Sequence, residues 1–547
     1  MSMSRYETLD GRAVPAESVE YQALTDKRLA PDPDDPFGRP WVEVKKNKPA
    51  LPGNGQSAAG EQDKPQLDAG DQELERISSA AWTALRDSNN PTVRIVRVGG
   101  VPSRLQAEDD GAPAVKTLTT LRLRQEMASC ADWYRLTKDG SQPAKPPRDV
   151  VENMLAQPNI DLPILERIVE APVFAPDGSI ETRPGYHPAS RTYYADAGLE
   201  LKPVSEDPTS AEQEEALGWI DELFGDFPFV SEADRLTAIS AMLTPFARSL
   251  IDGSTPLHMY EAPTPGTGKG LLADVTAIPA TGRRAATITE ARNEDEWRKR
   301  ITAMLRNGRA VTLIDNVTAR LDSAALSAAL TSPMWTDRIL GQSEIVSYPV
   351  RTTWLATGNN PAMSREIARR TVRCRMDAGV EHPEDRKGFR HELPGWAYQH
   401  RAQLVWALLT ITQSWIAGGS KPWSGTPLGS LEDWCRTIGG IFENAGLDQF
   451  LKNLDDFRAT SDEEGVAWGA FVAAWVAEFG NGEVGAGDLF DIALPLLDLG
   501  TGTKQSQQTR LGKLLSGQRD RRYGELIVRR RRIIRGSRMW MLESAHV

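Results

Sequence analysis

Glu261-Ala-Pro-Thr-Pro-Gly-Thr-Gly-Lys-Gly270 follows a short apolar stretch, Leu257 to Tyr260, and leads into Leu271-Leu-Ala-Asp-Val275. A strand that runs into a Gly/Pro turn and then a lysine at a helix start has the form of a phosphate-binding loop. Its backbone N–H groups point at phosphate oxygens, and the helix N-terminus adds positive partial charge. The candidate cradle is Pro265, Gly266, Thr267, Gly268, Lys269, Gly270 and Leu271. The usual pattern is G-x-x-x-x-G-K-[ST]. Here Pro263 stands at the first glycine, and Gly270 stands where a hydroxyl would hold Mg²⁺.

Three further constellations follow in order. Val311-Thr-Leu-Ile-Asp315 is an apolar strand ending in an acid, suited to order Mg²⁺ and its waters; a buried strand with a helix-capping Asp would read the same. Thr353-Trp-Leu-Ala-Thr-Gly-Asn-Asn-Pro361 is a second apolar strand ending in amides, and Asn359 or Asn360 could orient a water beside a γ-phosphate. Then comes Ile367-Ala-Arg-Arg370, where Arg369 or Arg370 could reach a neighbouring subunit's phosphate; a helix end solvated and stabilised by its dipole is the alternative.

The elements that must position these groups alternate strand and helix: strand 256–261, helix 268–277, strand 285–289, helix 293–306, strand 310–315, helix 322–331, strand 351–357, helix 363–370, strand 371–376. That rhythm predicts an α/β core with a parallel sheet. Upstream, 76–205 reads as a small α+β domain: a strand at Thr92–Val98, one helix over Leu118–Tyr134, a helix from Arg148 and two hairpins, Pro172–Ile180 and Gly185–Tyr194. Residues 1–75, rich in Pro, Asp and Gly, lack apolar periodicity and read as a disordered acidic tail. The core spans 206–394, a Trp-rich helical domain 395–495, and a basic C-terminal domain 496–547.

Composition bounds the function. The 547 residues carry a net charge of −11, yet residues 501–547 hold 12 basic and 3 acidic side chains. A basic terminus on an acidic chain suggests an anionic partner. Three cysteines far apart (Cys130, Cys374, Cys435) argue against a disulfide framework or a four-ligand zinc site and fit a reducing cytoplasm. No long apolar run or secretory core is present, so no membrane span is expected.

On Pro265-Gly-Thr-Gly-Lys-Gly270, Leu313-Ile-Asp-Asn316, Ala356-Thr-Gly-Asn-Asn-Pro361 and Glu366-Ile-Ala-Arg-Arg370, the chain resembles the AAA+ core of superfamily 3-type helicases, in particular the phage, plasmid and integrative-element primase–helicase proteins. The resemblance covers about 210–395. It implies ATP and Mg²⁺, with Lys269 on the β/γ-phosphates, Asp315 acting through Mg²⁺, Asn359 or Asn360 as sensor and Arg369 or Arg370 as a trans finger. It also implies a ring, usually hexameric, with ATP between subunits.

In similar helicases a hairpin between the acidic strand and the sensor grips single-stranded DNA in the channel. Trp335–Pro349 reads as such a hairpin, with Arg338 and Gln342 as phosphate contacts, or alternatively as a structural hairpin burying Trp335 and Tyr348. Asn316 replaces the glutamate that usually follows the acidic strand's Asp; an amide cannot take a proton from water, so Glu290 or Glu294 is the candidate base. At the C-terminus, a helix from Arg510, the clusters Arg519, Arg521, Arg522 and Arg529, Arg530, Arg531, Arg532, and two strands resemble a winged helix; the arginines would meet DNA phosphates, or else form a solvated basic tail. The expectation is a cytoplasmic, ATP-dependent, single-stranded-DNA-translocating helicase or replication factor of a mobile element, working with a separate primase or replication protein. An ATP-binding initiator or scaffold with little hydrolysis, or a defence-associated NTPase, are the alternatives.

Overall fold

The computed structural model describes residues 64–547 except 110, 197, 339–344, 462, 535–536 and 545–547. The acidic segment 1–75 therefore lies outside the described residues up to residue 63. Beyond that, the strand Gln66–Asp68 already pairs with Asp132–Tyr134, ahead of the boundary placed at residue 75.

The centre is a five-stranded parallel sheet. Its elements are β1 (Leu257–Ala262), α1 (Lys269–Thr281), β2 (Ala286–Thr289), α2 (Glu294–Arg306), β3 (Val311–Val317), β4 (Thr353–Asn359) and β5 (Thr371–Arg375). The spatial order is β2-β3-β4-β1-β5. β1, β3 and β4 read as continuous apolar runs because both faces are covered, as parallel sheets require. Helix α1 runs on through Pro279 to a left-handed Gly282 at its C-terminus (φ 62°), past the end expected at 277. Ahead of the sheet, Ser210–Phe224 starts on a Thr209/Glu212 capping box, and Glu232–Ala247 is buried along most of its length.

Hydrophobic packing divides the chain differently from the sequence expectation. Residues 67–162 share one core containing Trp82, Leu123 and Trp133. Val169, Phe174 and Tyr194 pack instead with the sheet and its helices. The expected helix over Leu118–Tyr134 is Thr120–Cys130 only, and Asp132–Thr137 is a strand paired with Gly140–Pro143. Trp133 turns its indole Nε1 back to the Met127 carbonyl at 3.1 Å, which closes the helix against the new strand.

The segment 395–495 is divided too. Arg401–Ala417 and Glu432–Asn444 bury Trp406, Trp415 and Trp434 in the sheet's core, with Trp434 Nε1 on Thr244 Oγ1 at 3.0 Å. Trp468 and Trp475, on Glu463–Phe479, share a separate core with Leu511, Leu515, Val528, Trp540 and Leu542. The C-terminal unit thus begins near 463 and combines that helix, Phe490–Ala493, Lys504–Gly517 and the hairpin Leu526–Ile534/Ser537–Ser544.

Candidate nucleotide site

The carboxyl ends of parallel strands form the crevice where α/β sheets bind ligands. β4 lies between β1 and β3, with Ala262 opposite Asn359 and Val317 opposite Gly358. The Gly-rich loop after β1, Asp315 on β3 and Asn359 on β4 are therefore brought to one edge.

The loop is built for close approach. Gly266 and Gly268 have φ of 78° and 97°, and Gly268 is the left-handed N-cap of α1. A Cβ on Gly266 would come 2.6 Å from Oε2 of Glu384, and one on Gly268 would touch the Phe227 ring at 3.9 Å. Thr267 is buried and donates its hydroxyl to the Thr264 carbonyl at 2.9 Å. Lys269 donates Nζ to the same carbonyl at 3.1 Å, and burial lowers its pKa. Pro265, Gly270 and Leu271 complete the turn and the first positions of α1; a Cβ at Gly270 would meet nothing within 4 Å.

Opposite the loop, Thr357 Oγ1 donates to Asp315 Oδ1 at 2.6 Å and accepts the Asn316 N–H at 2.8 Å. Asn316 has φ 55°, a left-handed conformation that Asn tolerates better than most residues. Spacing alone does not single out Thr357; its signal is a second hydroxyl, after Thr353, near the carboxyl end of the otherwise apolar strand Thr353–Asn359. One carboxylate with room for phosphate and water suits Mg²⁺, which keeps several waters and takes few protein ligands.

The paired candidates separate. Asn359 ends β4 exposed, whereas Asn360 Oδ1 accepts from Arg375 Nη1 at 3.1 Å, and that guanidinium also holds the buried Glu261 carboxylate at 2.6 Å. Arg369 is half exposed and pairs with Glu366 at 2.7 Å; Arg370 is buried and bonds the Glu366 carboxylate at 2.8 Å and its carbonyl. These two arginines lower the Glu366 pKa, Arg370 first. They are the two residues before Thr371, which lies beside Leu257 at the amino edge of the sheet, a strand's length away from the loop.

The candidate bases are already bonded. Glu290 Oε2 accepts the N–H groups of Thr318 and Ala319 at 3.0 and 3.1 Å, and Glu294 accepts those of Ala324 and Ala325. Both line a cavity of about 660 Å³ with Asp315 and Asn316.

The expected hairpin is present as Met334–Arg338 paired with Ile345–Pro349. Trp335 and Tyr348 are buried, with Trp335 Nε1 on Thr302 Oγ1 at 2.9 Å, while Arg338 is exposed. Gln342 lies outside the described residues.

The C-terminal arginines are partly neutralised. Arg529 pairs with Asp520 and Glu543, Arg531 with Glu543, Arg532 with Glu483 and Arg519 with Asp520. Arg521 sits over the Tyr523 ring at 5.2 Å. Arg522 and Arg530 are exposed.

Cys130, Cys374 and Cys435 are buried free thiols. Among the described residues, no helix is long and apolar enough to cross a membrane.

No protein-family model and no curated protein matches the sequence. Solved structures do. The chain is similar to an apo form of the NrS-1 C-terminal region at 10% identity and a TM-score of 0.36, over 85% of this chain and 98% of that one. It is similar to the SCCmec type IV Cch active helicase at 10% identity and 0.33, over 82% and 91%. Against JCV helicase the identity is 12% and the TM-score 0.21, over 46% and 66%.

Proposed function

We propose that this protein is an ATP-dependent, ring-forming DNA helicase or helicase-like replication protein of a mobile element. The observation that carries the reading is the placement of β4 between β1 and β3, which sets the Gly-rich loop, Asn359 and the Thr357-held Asp315 along one edge. Lys269 contacts the β- and γ-phosphates, and loop N–H groups receive their oxygens. Asp315 would hold Mg²⁺, which when bound neutralises charge on the phosphates. Asn359 positions the attacking water, because Asn360 is engaged by Arg375.

Arg369 is the finger. It is half exposed, whereas Arg370 is buried in its own subunit. Its position at the amino edge of the sheet suits a neighbouring subunit's site, which is why a ring, hexameric by resemblance, belongs to the proposal. Closure of that interface moves the hairpin carrying Arg338 along a single strand of DNA. The C-terminal unit, three helices and a hairpin, is read as a winged helix whose Arg522 and Arg530 meet phosphates.

A second reading has its own support. Glu290 and Glu294 are bonded to backbone N–H groups, and Asn316 offers no base. An ATP-binding initiator or scaffold with slow turnover fits those facts. Steady-state ATPase assays with and without single-stranded DNA separate the two. The motor predicts DNA-stimulated turnover; ATP binding with a low, DNA-independent rate supports the scaffold.

A further inference from the structure

Far from the nucleotide edge, four guanidinium groups surround a cavity of about 270 Å³: Arg167, Arg191, Arg248 and Arg351. They come from the strand Arg167–Val169, the turn before Thr192–Tyr194, the end of Glu232–Ala247, and the approach to β4. Among the described residues that line the cavity, Glu166 is the one carboxylate, and it is shared between Arg191 at 3.0 Å and Arg351 at 2.8 Å.

Arg167 and Arg248 are 2% and 1% exposed. They bond carbonyls rather than carboxylates: Arg167 Nη1 reaches Pro245 O at 2.8 Å, and Arg248 reaches Ile251 O, Gly253 O and Val350 O. Nε of Arg248 is buried without a hydrogen-bond partner among the described residues. Burial, and then the like charge of Arg351, lowers Arg167 to about 10 and Arg248 to about 9. Glu181 and Glu166 oppose the shift at Arg167, and Glu166 and Asp252 oppose it at Arg248, without cancelling it. Both remain cations at neutral pH, and clustered buried cations are costly unless enough negative charge joins them.

Three hydroxyl-bearing residues, Ser190, Thr192 and Ser249, also line the cavity. Arg191 holds φ at 54°, where glycine would be relaxed, so the turn keeps a guanidinium at the cost of backbone strain.

We infer that this arginine-lined cavity is a phosphate-binding site, taking either free phosphate or a phosphodiester of a single DNA strand. Planar guanidinium forks match tetrahedral oxyanions, and the Ser249 hydroxyl, which accepts from Arg167 at 3.4 Å, can donate to one. Arg351 lies two residues after the hairpin strand Ile345–Pro349, and Val350 O accepts from Arg248, so an occupant would tie the Gly185–Tyr194 hairpin to the root of the proposed DNA-gripping hairpin. The inference does not depend on nucleotide binding.

The test uses the full chain carrying Lys269→Ala, so that the Gly-rich loop does not report phosphate. Inorganic phosphate is titrated against sodium chloride at matched ionic strength while melting is followed. Phosphate raises the melting temperature beyond chloride, and Arg191→Gly weakens the apparent affinity about tenfold or more, the value of one charge-assisted hydrogen bond. Arg191→Gly melts no lower than its parent without phosphate, because the turn is relaxed. Arg351→Gln gives the same loss of response. If an oligothymidylate displaces phosphate the occupant is a phosphodiester, and if it does not the occupant is free phosphate; either result keeps the site. A phosphate shift no larger than that of chloride, or an equal shift in both arginine variants, overturns it.

Discussion

Thr357 donates its hydroxyl to Oδ1 of Asp315 at 2.6 Å across the boundary between β4 and β3. The same hydroxyl accepts the N–H of Asn316, so one buried side chain fixes the carboxylate and the left-handed residue after it. A hydrogen bond to a charged group is worth about 1.5–3 kcal/mol. Thr357→Val should therefore lower kcat for ATP hydrolysis by roughly 10–100-fold, and Thr357→Ser should restore most of it. Unchanged turnover in the Val variant would remove Thr357 from the site.

Gly270 has open space around its Cβ position, and its helical backbone accepts any L residue. Gly270→Ser supplies the hydroxyl that the usual pattern places on Mg²⁺. The Mg²⁺ concentration for half-maximal nucleotide binding should fall by about tenfold, and the α1 helix should gain about 0.5 kcal/mol. An unchanged Mg²⁺ requirement would mean that the ion does not sit beside residue 270.

The sheet was legible because its strands are continuous apolar runs that end in chemistry: Val311–Asp315 in an acid, Thr353–Asn359 in an amide. The packing between distant segments was not. Trp468 and Trp540 meet in one core although 72 residues separate them, so the boundary expected at 495 cuts through a cluster. Asp132–Thr137 looked helical because Ala131 and Tyr134 continue the spacing of the helix before them, while its strand partners lie on either side in sequence. Pairs of adjacent candidates could not be separated from spacing alone. Burial separates Arg370 from Arg369, and the Arg375 contact separates Asn360 from Asn359. The arginine-lined cavity left no motif, since its members are scattered from residue 167 to residue 351.

Arg369→Ala should lower DNA-stimulated kcat by about 10³-fold, the lower end for an arginine finger, with ATP affinity nearly unchanged. Mixing it with Lys269→Ala subunits should recover part of the activity, because some mixed interfaces pair an intact lysine with an intact arginine. Arg370→Ala acts on folding instead, since its guanidinium is buried against Glu366, and should cost about 1–3 kcal/mol in melting experiments. Failure of the mixture to regain activity would contradict a trans site.

His258 sits fully buried in β1, edge-on to Trp434, and burial lowers its pKa to about 3. The unfolded chain takes up this proton near pH 6.5, so the stability contributed by neutral His258 is complete above that pH and is lost as pH falls toward 3. Between pH 6.5 and 4.5 the loss should be about 2–3 kcal/mol. His258→Leu should show a correspondingly flatter acid limb in thermal melts. Identical limbs would show that other groups govern the acid sensitivity.

The central claim is that the loop from Pro265 to Leu271 binds nucleotide phosphate through Lys269. Equilibrium titration of a fluorescent ATP analogue with Mg²⁺ tests it most directly, comparing the wild-type chain with Lys269→Ala and confirming the fold of each by melting. Loss of one charged contact predicts at least about a tenfold weaker affinity in the variant. Equal affinity in two folded proteins would contradict the assignment of the loop.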